Sequence, residues 1–356
     1  MAKSCDLPVG PAPSASANDN SRTPPFGSAL RIPQYDTIEE IEMGNGCTQA
    51  VTDLVSSFSA DDLSGPRLLH AARVIARAIY RNASAKTRDT FGAFVRGDTD
   101  VLIVHDLFAV PNNLEPTPND CSPSLQSRLF ALGVAGLTFD CGHQPCAVSN
   151  ENHGLYDRHV RSTAGKESEP SSAGGAEIGP HTEHSSRYHG DWGQFSPQID
   201  TICLAGLRNI DNEPTGFAAL EEVLRYLPEK SISALLRPDF AMAPPDSTDT
   251  ARSASHMPIL YRRNGLLESA YRADKVGVPP IPEARQAIDD LNSAIHSAAR
   301  SVILRPGTAC IARNPRCYHW RDKVKNPSRW LVRGFGIAPS TAAIFSNPDR
   351  PDLVHY

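Results

Sequence analysis

His181-Thr182-Glu183, followed far downstream by Asn314-Pro-Arg-Cys-Tyr-His319-Trp-Arg-Asp322 and then by Arg329-Trp-Leu-Val-Arg333-Gly-Phe-Gly-Ile337, are the stretches whose reading decides the fold. On a strand, successive side chains point to opposite faces, so His181 and Glu183 share one face and Thr182 turns away. His319 comes after a Pro306-Gly307 turn and an apolar run that reads as a strand, and it supplies a third donor from a distant part of the sheet. Two imidazoles and one carboxylate occupy one triangular face of an octahedron and leave the opposite positions open. A His-X-Glu alone arises often by chance on a solvated strand. The late histidine, and the arginine fourteen residues beyond it, lift this one above that background.

Arg333 alternates with an apolar set, Leu331, Phe335 and Ile337, so its charge is expected on a buried face. A buried guanidinium needs a partner. Its planar fork suits a carboxylate held by two parallel hydrogen bonds better than a lysine would.

Outward from these stretches, the second half of the chain is rich in short strands. Ile202–Leu207, Ile259–Tyr261 with Leu266–Tyr271, Ser301–Leu304, Cys310–Ala312 and Trp330–Ile337 are expected strands, and Phe217–Leu227 and Glu283–Ala299 expected helices. In the first half, Leu68, Leu69, Ala72, Ile75, Ala76 and Ile79 recur at helical spacing, with four arginines on the solvated side. Val101–Val104 is a short buried strand, and a second helix runs through Leu125, Leu129, Leu132 and Gly136 after the Ser122-Pro123 start signal. The expected architecture is α+β with a mainly β core, a double-stranded β-helix (distorted jelly roll) flanked by helices and holding its metal between two sheets. Residues 1 to about 30, rich in Ser, Pro, Ala and Asn, are expected to be a disordered tail. Residues 31–356 form one expected domain, with a Gly/Ser-rich loop or lid at about 161–179 leading to the His-Thr-Glu.

The chain has 356 residues, 40% of them hydrophobic, enough for a full core. A net charge of −5 gives no electrostatic footprint for nucleic acid or an anionic membrane. No stretch is long and apolar enough to span a bilayer, and no secretory signal is read at the start. A cytoplasmic location is therefore expected. The eight cysteines are scattered and read as reduced residues, not as a disulfide framework. Cys141-Gly-His143-Gln-Pro-Cys146 offers soft ligands, but only three, and reads as an ordinary loop.

Taken together, these residues resemble the clavaminate synthase-like branch of the Fe(II)/2-oxoglutarate oxygenases, which includes arginine and asparagine β-hydroxylases and is related to taurine dioxygenase. The likeness extends to Gly97-Asp-Thr-Asp-Val-Leu-Ile-Val104 with Leu114-Glu-Pro-Thr-Pro118, to Ser171-Ser-Ala-Gly-Gly175, and to Leu207-Arg-Asn-Ile-Asp211 with Pro214-Thr215. The connection from His184 to Phe195, with Tyr188, His189, Asp191 and Trp192, is longer than that group's usual one.

The resemblance implies Fe(II) held by His181, Glu183 and His319, with 2-oxoglutarate and O2 as cosubstrates. It implies that the far carboxylate of 2-oxoglutarate pairs with Arg333, helped by the Thr215 hydroxyl or with Gly216 at that position. An unactivated C–H bond is then hydroxylated as 2-oxoglutarate becomes succinate and CO2. The retained Glu183 favours hydroxylation over halogenation, since related halogenases lose that carboxylate. The implied substrate is a small molecule, a free or carrier-protein-bound amino acid of natural-product biosynthesis, with Arg272, Arg262 and His189 as candidate contacts. Asn314 is expected to orient the loop that carries His319. Desaturation or cyclisation by the same machinery, a zinc hydrolase on the same triad, and a jelly-roll binding protein all remain open at this point.

Overall fold

Trp330–Ile337 is buried along its whole length, and its alternation organises the molecule. Trp330 and Val332 face a helical layer, while Leu331, Phe335 and Ile337 face a second sheet. The computed structural model describes residues 37–119, 122–185, 198–244 and 254–354, all within the unit Tyr35–Tyr356. The expected N-terminal tail lies outside these residues.

The larger sheet has the order Ile38–Glu42, Val101–His105, Ala309–Arg313, Thr201–Arg208, Trp330–Ile337, Gln144–Val148 and Leu353–Val354, and Arg158–Arg161 also pairs with Trp330–Ile337. Its central pairs are antiparallel and its two outermost pairs are parallel. The smaller sheet, Arg300–Ile303, Pro214–Ala219, Cys317–Arg321 and Ile178–His181, is antiparallel throughout. The sheets share one apolar core, in which Ile103, Ile202, Leu204, Leu331 and Phe335 of the first meet Phe217, Val302 and Cys317 of the second. Each such side chain withdrawn from water contributes roughly 1.5–3 kcal/mol.

Helices Asn45–Ser57, Gly65–Asn82 and Leu125–Asp140 cover the outer face of the larger sheet. Leu125–Asp140 starts at Ser124, whose hydroxyl accepts from the Ser127 amide, and is buried on nearly every side. A β-carbon on its Gly136 would stand 2.3 Å from Ile75 Cγ2, so the missing side chain lets the two helices approach. The architecture is mixed α/β, two sheets flanked by helices, with the second-half strands largely where the sequence places them.

Two local expectations are corrected. Phe217 to Ala219 belong to a strand, and the helix begins only at Leu220. Pairing of Gly216–Ala219 with Cys317–Trp320 overrides the helical preference of the alanines. The strand before the metal motif ends at His181, so Thr182 and Glu183 continue in a turn and not in alternation.

Candidate active site

Sheet register brings the histidines together. His181 is the partner of His319 across the Ile178–His181 and Cys317–Arg321 pair, and the two rings lie 4.1 Å apart between centroids. Glu183, just past the strand, is held by Asn314, whose Oδ1 accepts from the Glu183 amide at 2.6 Å while Nδ2 donates to the Glu183 carbonyl at 3.0 Å. The same Nδ2 donates to Ile199 O at 2.8 Å. Asn314 therefore ties the segment carrying His319 to the backbone of Glu183. Thr182 turns away as expected: its amide donates to Tyr271 O at 2.7 Å and its hydroxyl accepts from the Tyr271 amide at 3.1 Å.

One ligand atom from each of His181, Glu183 and His319 lies within 4.8 Å of the others, and all three residues are buried. His181 Nδ1 donates to Gly179 O at 2.9 Å, leaving Nε2 with its lone pair. Burial, and next the neighbouring His319, push the His181 imidazole well below its ordinary value, so it is neutral. Burial acts to raise the Glu183 carboxyl, but Arg333 and the two imidazoles outweigh it and hold the group well below the usual carboxylate range. The neutral His181 nitrogen, the facing His319 imidazole and an ionised oxygen fit a divalent transition metal with open positions. Among the described residues no other cluster of this kind converges, the Cys141–Cys146 motif included. The six described cysteines are unpaired.

Arg333 is buried beside the triad, its guanidinium 4.2 Å from the Phe335 ring centroid. It donates to Glu183 Oε1 at 3.0 Å and, on its other side, to Glu151. Glu151 also takes His184 Nε2 at 3.1 Å. Burial raises the Glu151 carboxyl, yet Arg333 and His184 bring it down to about 2. Glu151 is missing from the sequence reading because it sits in a connection without any periodic pattern.

The Thr215 hydroxyl accepts from Arg329 Nη2 at 2.8 Å. Gly216 is set against the Trp320 ring, where a β-carbon would lie 2.0 Å from Cε2. Arg329 and Arg321 are 3% and 6% exposed and line the same cavity as the triad. Among the described residues neither has a carboxylate at ion-pair distance, and the Nε of each is buried with no partner. Burial depresses both guanidiniums, and the nearby Arg329 charge helps bring Arg321 down to about 10.

The remaining candidates separate. Arg272 is buried in the cavity wall and donates to both oxygens of Asp274, at 2.9 and 3.4 Å. Arg262 is exposed and reaches only Gly265 O of its own hairpin, at 3.4 Å, so it is not a wall residue. His189 lies outside the described residues.

No family model matches the chain. It is 27% identical over 275 residues to L-asparagine oxygenase of Streptomyces coelicolor, covering 73% of this chain and 78% of that protein. Its fold matches a solved asparagine oxygenase in complex with Fe(II), 2S,3S-3-hydroxyasparagine and succinate, with a TM-score of 0.75, 20% identity and coverage of 89% and 99% of the two chains. The non-haem iron oxygenase OrfP with Fe, succinate and (3S)-hydroxy-L-Arg matches with a TM-score of 0.71 at 20% identity, over 88% and 99%. Facing histidines and an ionised glutamate on this fold make a site suited to a divalent metal with open positions. The chain is similar in sequence to the asparagine oxygenase and in fold to these non-haem iron oxygenases. Among the described residues no helix is long and apolar enough to cross a membrane.

Proposed function

We propose that the protein hydroxylates an unactivated C–H bond of a free amino acid, using Fe(II) and 2-oxoglutarate on a double-stranded β-helix. The observation that carries this is a pair of buried charged subsites flanking one metal triad. His181, Glu183 and His319 would hold the metal. Bound Fe(II), with 2-oxoglutarate and O2, supplies the oxidising power, and succinate and CO2 are the coproducts.

The first subsite, Arg329 with Thr215 and Arg321, is cationic and buried, and among the described residues no carboxylate stands at ion-pair distance from it, although the Glu213 charge partly offsets both guanidiniums. A desolvated guanidinium of this kind is costly unless a carboxylate arrives to pair with it. It fits the far carboxylate of 2-oxoglutarate, and we assign that role to Arg329 and Thr215 in place of Arg333. The second subsite, Arg333 with Glu151, is an ion pair with one arm of each sign. A zwitterion can replace it pole for pole, its carboxylate on the guanidinium and its ammonium on Glu151, with no net charge buried. A carrier-bound thioester has no free carboxylate to offer Arg333, so the free amino acid is the better fit. Glu183 and Arg333 then orient the substrate beside the metal, and the closed wall excludes water.

The two subsites also argue against a zinc hydrolase on the same triad, which needs neither. Reduced cysteines and ferrous iron suit a cytoplasmic setting. The test is an amino-acid library incubated with Fe(II), 2-oxoglutarate and air, read by succinate formation and gain of one oxygen in the mass spectrum. Turnover of an amino acid without 2-oxoglutarate would overturn the proposal.

A further inference from the structure

We infer that Arg321 is a positioning residue that latches the polar loop between the Arg158–Arg161 and Ile178–His181 strands onto the carboxylate end of the cosubstrate. The inference rests on the assignment of that end to Arg329 and Thr215. Arg321 lies two residues beyond His319 on the same strand, and one residue past the Trp320–Gly216 pair, which sets it abreast of Thr215. Its Nη2 donates to three carbonyls of the loop, Ser171 at 3.3 Å, Gly174 at 3.0 Å and Ala176 at 2.7 Å. Its Nε is buried and unpartnered, and the residue lines the cavity with Arg329. One guanidinium thus grips the loop with one nitrogen and keeps another donor, Nε, without a partner.

The loop is a self-packed unit, held besides by Arg158 Nε on Ser172 Oγ at 2.9 Å, by Val324 N on Gly175 O at 2.8 Å and by Ala164 N on Asn119 O at 2.9 Å. Gly175 N donates to Lys166 O, and a β-carbon on Gly174 would stand 1.9 Å from Glu169 O, so the chain folds tightly back on itself. Its outer strand contacts are Arg161 N to Ser172 O and Thr163 N to Ala173 O. Pro170, Ser171 and Ser172 form part of the cavity wall, so the position of the loop sets the shape of the space left for a substrate. Without a bound anion, the Arg329 charge bears on Arg321 with only a partial offset from Glu213, and Arg321 holds the loop against that repulsion. A carboxylate between them removes the repulsion and fixes Arg321, and the loop with it. Cosubstrate binding therefore orders the wall against which the amino acid is placed, and Arg321 is the link.

The experiment is hydrogen exchange of peptides spanning 163–176, read by mass spectrometry on the full chain with Fe(II) under anaerobic conditions, with and without saturating 2-oxoglutarate. In the wild type, 2-oxoglutarate is expected to slow exchange in this loop by about tenfold or more. In Arg321→Met the loop is expected to exchange fast in both states, while 2-oxoglutarate still binds through Arg329 and Thr215 with affinity reduced about tenfold. Loop exchange in Arg321→Met equal to that of the wild type, in both states, overturns the inference. Arg329→Met separates this from the underlying assignment, since it is expected to lose the response to 2-oxoglutarate while its free-state loop, relieved of the repulsion, exchanges no faster than that of the wild type. If Arg321→Met does not fold, Arg321→Lys serves. A single ammonium cannot serve three carbonyls and a carboxylate together, so it too is expected to uncouple the loop, and wild-type coupling in it counts against the latch.

Discussion

Replacing Arg329 by methionine tests the cosubstrate site directly, because stability and binding are expected to move in opposite directions. Methionine keeps much of the stem volume and removes a cation that, among the described residues, has only the Thr215 hydroxyl as a hydrogen-bonded side-chain partner. A bound carboxylate would add two charge-assisted hydrogen bonds at about 1.5–3 kcal/mol each. Their loss weakens 2-oxoglutarate by about 3–6 kcal/mol, between about a hundredfold and about twenty-thousandfold. In the free protein the variant sheds the desolvation of an unpaired charge, several kcal/mol. Against this stands an orphaned Thr215 hydroxyl at about 1–3 kcal/mol, so free-state stability is expected to hold or rise. Wild type with ligand at a hundred times its Kd gains about 2.7 kcal/mol, and the variant at the same concentration gains almost nothing. Thermal unfolding with and without 2-oxoglutarate, in the presence of anaerobic Fe(II), reads both effects. The reasoning is refuted if Arg329→Met binds 2-oxoglutarate as the wild type does while Arg333→Met loses it.

Glu151→Gln removes the partner assigned to the substrate ammonium, and is expected to raise the amino-acid KM by about tenfold to a hundredfold with 2-oxoglutarate affinity kept; an equal loss of both would place Glu151 elsewhere. Asn314→Ala leaves the Glu183 backbone unclamped, and a 10–100-fold loss of metal affinity by anaerobic titration is expected. An α-methyl ester of the best amino-acid substrate is expected to fail as a substrate, because it no longer offers Arg333 a carboxylate; efficient turnover of the ester contradicts the zwitterion subsite. Asp140, half-buried with its Oδ2 sealed from water and unpartnered, is pushed up to about 7 by desolvation. Its neutral form is the one the fold favours, so its contribution is fully present below the ordinary carboxylate value near 3.8 and is lost as pH rises to about 7. Asp140→Asn is expected to stabilise the protein at pH 8 by up to about 4 kcal/mol and to do little at pH 4, and urea unfolding at the two values decides it.

The metal triad was legible because its residue types are chemically constrained, and the Trp330–Ile337 strand because alternation there separates two apolar faces. The Phe217–Ala219 stretch was not, since its conformation comes from a partner strand a hundred residues on and not from local preference. Arg329 and Arg321 have the same alternation parity as Arg333 and His319, so the sequence held a signal that they point inward. What it did not hold was which guanidinium meets which carboxylate. That depends on Glu151, which a connection carries into the site, and on the register that aligns Thr215. The length of the connection after His184 was legible, whereas its conformation lies outside the described residues.

The Asn314–Glu183 clamp spans 131 positions of chain, and the two histidines meet only where the edge strand of the smaller sheet has zipped to its neighbour. Nascent chain therefore presents no preformed chelate: the three donors converge only after a closure across more than 130 positions is complete. On the proposed function, a metal can be held only once that closure is made, and a half-folded chain is spared an exposed redox centre.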